Sequence, residues 1–160
     1  MEKKLRDYLT KNGLKLSLAE SCTGGLISSF ITNIEGASKF FEQSFITYSN
    51  NSKIKILEID PAIMAECGPV SHEIASQMAG GLVKLYADVG LATTGILGPA
   101  GGTDENPVGT AYIGIAKKEK DGSIKCTVVK YESKEKERVD IKRDIAQRAF
   151  LHLCKFLEIA

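Results

Sequence analysis

The sequence predicts an α/β fold, a single three-layer α/β/α domain over residues 1–160, built on a mixed and mostly parallel sheet. Three observations predict it. Segments that alternate at period two, or that form short apolar runs, take turns with segments of helical spacing, as in repeated βα units. Near the C-terminus two strand-like runs are joined by a polar turn at Asp121-Gly122, which adds an antiparallel member. A chain of 160 residues is long enough for one core that buries roughly two thirds of the unfolded surface, so no second domain is required.

Each element has its own warrant. Residues 3–12 predict a helix with Leu5, Tyr8 and Leu9 on one face, ended by Gly13. Residues 14–19 alternate as a strand. Residues 23–33 have helical spacing, with Leu26 and Phe30, joined by Ile27 and Ile34, as the inward-facing candidates and Glu35-Gly36 as the stop. A short helical turn over 37–41 leads to a second strand over 44–48. Ser49 and Asn50 are good N-caps for a helix reaching Leu57, and Pro61 opens another. Residues 72–87 repeat Ile74, Met78, Leu82 and Leu85, a helix whose Ala75, Ala79, Gly80 and Gly81 permit close packing. Residues 89–94 are a short apolar strand, 95–108 an irregular loop, and 109–116 and 124–131 the hairpin strands. A last helix over 135–157 carries the stripe Ile141, Ile145, Ala149, Leu153.

Composition bounds the function. Lysine and arginine total 21 against 20 acidic residues, so there is no net electrostatic footprint for nucleic acid, and none is expected as a partner. The four cysteines are scattered without a C-x-x-C pair, which argues against a structural zinc site and fits reduced thiols in a cytoplasm. No apolar run is long enough to span a membrane, and the charged N-terminus lacks the apolar core of a signal peptide. The chain is therefore expected to be cytoplasmic and not membrane-bound.

In an open, mostly parallel sheet, ligands sit beyond the carboxyl ends of the strands. Two glycine-rich segments follow strands at that end, "ESCTGG" over 20–25 and "GILGPAGGTDENPVG" over 95–109. In the first, Ser21 and Cys22 are adjacent potential nucleophiles, and Gly24 and Gly25, read as the first turn of a helix, offer amides to an oxyanion, a phosphate or nothing but a capping side chain. Neither segment is a P-loop or a dinucleotide fingerprint. A hydroxyl or thiol nucleophile needs a base. His72 and His152, the two histidines, read as a helix-start residue and a mid-helix residue. A desolvated lysine can serve instead, and Lys53 or Lys55, with Tyr48 nearby, are candidates in "YSNNSKIKIL". Residue pattern leaves both choices open.

The stretches "LAESCTGGLISSFIT", "FITYSNNSKIKILEI", "GPVS" and "TTGILGPAGGTDENPVGTAYIGIA" together resemble the CinA C-terminal domain family, whose members include nicotinamide-nucleotide amidohydrolases. The resemblance runs from about residue 14 to the end of the chain. It implies an amidohydrolase that converts nicotinamide mononucleotide and water to nicotinic acid mononucleotide and ammonia, within pyridine nucleotide recycling. The family's serine nucleophile falls on Ser21, and its tyrosine and lysine partners on Tyr48 and Lys53, which removes Lys55. Substrate contacts are expected from Cys22, Thr23, Gly24 and Gly25, from Gly98, Gly101, Gly102 and Thr103, and from Arg138. The family's second arginine falls on Lys142 or on Arg143, and Arg143 is taken as the second basic contact. Leu97 stands where alanine is more usual, which implies a changed pocket wall. Many members carry a further N-terminal domain of molybdopterin-binding type with metal-dependent pyrophosphatase activity. These 160 residues contain no match to it, so no metal and no cofactor are expected. The family suggests a homodimer. The alternative reading, from the family's name, is a non-catalytic partner in competence or DNA damage, or a nucleotide-binding protein.

Overall fold

Alternation along the strands decides which side of the sheet each helix takes. The computed structural model describes residues 1–159. Its strands are β1 (Leu16–Glu20), β2 (Phe41–Ile46), β3 (Val89–Gly95), β4 (Thr110–Lys118) and β5 (Ile124–Glu132). Its helices are α1 (Glu2–Lys11), α2 (Leu26–Thr32), α3 (Asn50–Leu57), α4 (Pro61–Cys67), α5 (His72–Leu85) and α6 (Arg138–Phe156). The sheet order is β2-β1-β3-β4-β5, with β1 parallel to β2 and β3, and β4 antiparallel to β3 and β5. Four strands therefore run one way and β4 alone runs back, the mixed, mostly parallel α/β sheet expected.

One face presents Leu16, Leu18, Val89, Leu91, Ile113 and Ile115 to α1, α2 and α6, whose Leu5, Leu9, Ile27, Ile31 and Leu153 complete that core. Each such leucine or isoleucine contributes about 1.5–3 kcal/mol on full burial. The opposite face is smooth, with Ala19, Gly90, Ala92, Gly114 and Ala116. There α5 lies so close that a Cβ on Gly114 would collide with the Ala75 carbonyl oxygen, and one on Gly90 would meet the Ala79 carbonyl oxygen at 2.7 Å. Larger side chains on this face would push α5, and with it α3 and α4, off the sheet.

Several boundaries differ from expectation for physical reasons. The α2 helix begins at Leu26 instead of residue 23, because Gly24 (φ +57°) and Gly25 (φ +95°) are left-handed and reverse the chain first. Hence the two glycines precede the helix. The β2 strand ends at Ile46, two residues earlier than expected, so Tyr48 sits beyond the strand in the loop leading to α3. The α6 helix starts at Arg138 and not at residue 135, which leaves Arg138 at the first helical position. The carboxyl ends of β1, β2 and β3 and the start of α6 converge on one end of the sheet.

Candidate functional site

A cleft of about 260 Å³ opens at that end. Ser21 and Cys22 reach it from the turn after β1, Tyr48 and Lys53 from the β2–α3 connection and α3, Ile96 to Gly98 from the loop after β3, and Arg138 from α6. The turn carrying Ser21 is fixed from several sides. The Ser21 amide donates to the Thr93 carbonyl (3.1 Å), and the Gly24 amide closes back on the Ser21 carbonyl (3.2 Å). Thr23 is fully buried, with its hydroxyl 2.8 Å from that of Thr93. Ser21 itself is 7% exposed, enough to face the cleft.

Lys53 is the side chain that gives the site its chemistry. It is 1% exposed, and its Nζ lies 3.2 Å from Ser21 Oγ and 3.1 Å from the Tyr48 carbonyl oxygen. No carboxylate forms an ion pair with it among the described residues. Burial therefore pushes its ammonium below the ordinary value of 10.5. A Cys22 thiolate would act in the other direction, but burial pushes that thiol up to about 12, so near neutral pH the opposing charge is absent. The same burial favours the thiol form of Cys22, whereas the thiolate is the reactive form. Ser21 has a neutral-prone amine in contact, and Cys22 has a proton it does not release.

A helix start leaves amides to be satisfied, and α2 has Gly25 as N-cap with no side chain of its own to cap it. The fully buried Glu20 carboxylate supplies the acceptors, taking the amides of Gly25 (2.9 Å), Ile27 (3.2 Å) and Ser28 (2.8 Å) and the Ser28 hydroxyl (2.5 Å). The expected anion site on the helix amides is thus occupied by the protein's own carboxylate. Among the described residues, the amides of Cys22 and Thr23 are left without an acceptor. Of the two, Cys22 lines the cleft beside Ser21, whereas Thr23 is fully buried outside it.

At the rim, Arg138 Nη1 donates to the Gly98 carbonyl (2.5 Å) and Nη2 approaches the Tyr48 hydroxyl (3.4 Å). This ties together three chain segments that sequence spacing leaves 40 and 90 residues apart. The model of the CinA C-terminal domain matches residues 1–157. The chain belongs to the CinA C-terminal domain family. A putative competence-damage inducible protein of Caldicellulosiruptor saccharolyticus is 50% identical over 119 residues, 74% of this chain and 29% of that protein. One from Halothermothrix orenii is 42% identical over 153 residues, 95% of this chain and 36% of that protein. The chain spans about a third of the length of such curated relatives. Among solved structures, a competence/damage inducible protein of Agrobacterium tumefaciens is 34% identical with a TM-score of 0.82, covering 98% of this chain and 94% of that one. A CinA superfamily protein of Enterobacter cloacae is 28% identical with a TM-score of 0.84, covering 98% and 89%.

Set in this CinA domain, the residues singled out from sequence divide into two groups. Ser21, Cys22, Tyr48, Lys53, Gly98 and Arg138 line one cleft, and Leu97 joins them while packing with Cys22, Ile141 and Ile145. Tyr48 contributes its carbonyl to Lys53, whereas its ring is 61% exposed and leans on Arg138. Thr23, Gly24 and Gly25 shape the turn from outside the cleft. Gly101, Gly102 and Thr103 are exposed and lie outside it too, with Thr103 turned back on Asn106 in a local loop clasp. Arg143 is exposed and pairs with Asp140 at 3.4 Å, away from the cleft. The α6 side chain that does reach the turn after β1 is Lys142, whose Nζ would lie 3.2 Å from a Cβ on Gly24. The helical interval explains the exchange, because residue 142 follows 138 by four and shares its face, whereas 143 does not. Neither histidine lines the cleft.

Sequence reasoning missed Glu20. A signal was present, since a helix start with only glycines before it must take its caps from elsewhere, and an acid at the end of the preceding strand is the nearest source.

Proposed function

We propose that this domain hydrolyses the carboxamide of nicotinamide mononucleotide, releasing ammonia and nicotinic acid mononucleotide, with Ser21 as nucleophile and Lys53 as base. The observation that carries the proposal is the 3.2 Å contact between Ser21 Oγ and a buried lysine that pairs with no carboxylate among the described residues. Neutral Lys53 takes the Ser21 proton as Oγ bonds to the carboxamide carbon. The amide of Cys22, which lines the cleft beside Ser21, stabilises the oxyanion, an effect worth about 2.7–4 kcal/mol per donor. The Lys53 ammonium then returns its proton to the departing nitrogen, which leaves as ammonia while Ser21 retains the acyl group as an ester. Lys53, neutral again, deprotonates a water that attacks the ester. The acid departs and Ser21 regains its proton.

Arg138 and Lys142, one turn apart on α6, are the cations available for the phosphate. Tyr48 acts through its backbone on Lys53 and through its ring on Arg138, so no proton need pass through its hydroxyl. The cleft volume is near the lower end of the roughly 300–1,000 Å³ typical of small-molecule sites, consistent with a compact nucleotide.

A second reading, a non-catalytic partner in competence or damage response, follows the names of the curated relatives. Ammonia release separates the two. The purified domain is expected to liberate one ammonia per nicotinamide mononucleotide consumed, and Ser21→Ala none above background. No release by the wild-type protein would overturn the amidohydrolase reading.

A further inference from the structure

We infer that Glu20 is a positioning residue for the nucleophile, a buried clamp that holds the Ser21 turn in register with Lys53 while keeping its own charge on the other side of the sheet. The inference rests on Ser21 as the reacting group. Alternation at the end of β1 turns neighbouring side chains to opposite faces. Even-numbered Leu16, Leu18 and Glu20 face α2, and Ser21, the next residue, faces α3 and Lys53.

The clamp spans the turn that carries Ser21. Glu20 Oε2 accepts from Gly25 and Ile27, and Oε1 from the amide and hydroxyl of Ser28, so both oxygens are used. Ser28 Oγ also lies 2.7 Å from Ser44 Oγ on β2, the strand that leads to Tyr48 and Lys53. One carboxylate thereby connects the strand before the nucleophile, the helix after it and the strand before the base. Thr93 holds the near end of the five intervening residues, at Ser21 and Thr23, and Glu20 adds the side-chain contact at their far end, on Gly25.

The placement has an electrostatic side. A carboxylate against Lys53 would favour the ammonium, the form that cannot accept the Ser21 proton. Here the nearest acid in sequence is occupied by backbone amides at a helix start, where a negative charge is well accommodated. Removing it is therefore expected to misplace Ser21 and leave the titration of Lys53 in place.

The test uses Glu20→Gln, in which an amide replaces a four-way acceptor with a weaker one, and Ser28→Ala, which removes only the hydroxyl contact. Two readouts are compared on protein of verified melting temperature: ammonia release from nicotinamide mononucleotide, and the rate at which a fluorophosphonate modifies Ser21, followed by intact mass. Glu20→Gln is expected to lower both kcat and the modification rate by about 10- to 100-fold, with KM nearly unchanged and the pH midpoint of either rate where the wild type has it. Ser28→Ala is expected to lower them by about 2- to 5-fold and to fold normally if Glu20→Gln does not. Modification of Ser21 at the wild-type rate in folded Glu20→Gln overturns the inference, as does a shifted midpoint with an unchanged maximal rate. The fluorophosphonate readout needs no nucleotide, so a wild-type protein that is modified at Ser21 but releases no ammonia refutes the proposed substrate alone.

Discussion

The turn after β1 (residues 21–25) and the loop after β3 (residues 96–109) leave adjacent parallel strands at the same end of the sheet, and both are rich in glycine. In the turn, glycine permits left-handed backbone, so that the chain reverses around the Glu20 carboxylate and buries Ser21, Cys22 and Thr23. In the loop, glycine permits close passage: a Cβ on Gly98 would meet Val108 at 2.5 Å, and one on Gly102 the Val108 amide at 2.9 Å. Residues 99–108 are exposed apart from partly buried Asn106, and the clasp between Thr103 and Asn106 is internal to the loop. Two similar compositions thus serve different ends. The turn brings Ser21 and Cys22 to the cleft, and the loop lends it a short wall from Ile96 to Ala100.

Five substitutions probe that contrast. Lys53→Met is expected to lower kcat by about 10²- to 10⁴-fold, the usual worth of a general base. It should also abolish the limb along which wild-type kcat/KM rises tenfold per pH unit toward the depressed Lys53 value, below 10.5. Stability should move oppositely. Because the folded-state value is lowered, the unfolded chain binds the proton more tightly, and wild-type stability rises with pH between that value and 10.5. The Met variant is therefore expected to melt a few degrees above wild type at pH 7, with the gap closing toward pH 10.

Arg138→Ala is next in size. Loss of charge-assisted contacts at the rim should raise KM for nicotinamide mononucleotide by about 10- to 100-fold with kcat within a few-fold, as read by steady-state kinetics. Gly98→Ala tests the loop wall. Its left-handed backbone and the contact with Val108 should cost about 1–3 kcal/mol in urea denaturation. Smallest are Thr103→Ala and Arg143→Ala, which should each stay within about twofold in kcat/KM and about 0.5 kcal/mol in stability. A large kinetic effect at either would restore the far loop, or the exposed face of α6, to the binding site.

Layer order, sheet direction and most elements were legible in the sequence, because hydrophobic periodicity is a local property and each face of the sheet carries it cleanly. The site was legible in part. Ser21 and Lys53 followed from motif resemblance, and composition could not have joined residues 32 apart. What escaped was set by tertiary placement: which of Lys142 and Arg143 shares the face of Arg138, which glycines border the cleft, and where the amides of α2 find their acceptor. Glu20 illustrates the last point. An acid inside "LAESCTGG" reads as a charged neighbour of the nucleophile, but strand alternation turns it to the far side of the sheet.

The central claim is that Ser21 reacts and Cys22 does not, although the two are adjacent and line the same cleft. Turnover of nicotinamide mononucleotide by Ser21→Ala and Cys22→Ala, measured side by side at pH 8, tests it most directly. The account predicts a loss of at least about 10³-fold for Ser21→Ala and a change within about threefold for Cys22→Ala. An active Ser21→Ala variant beside an inactive, folded Cys22→Ala variant would contradict it and make the domain a thiol amidase.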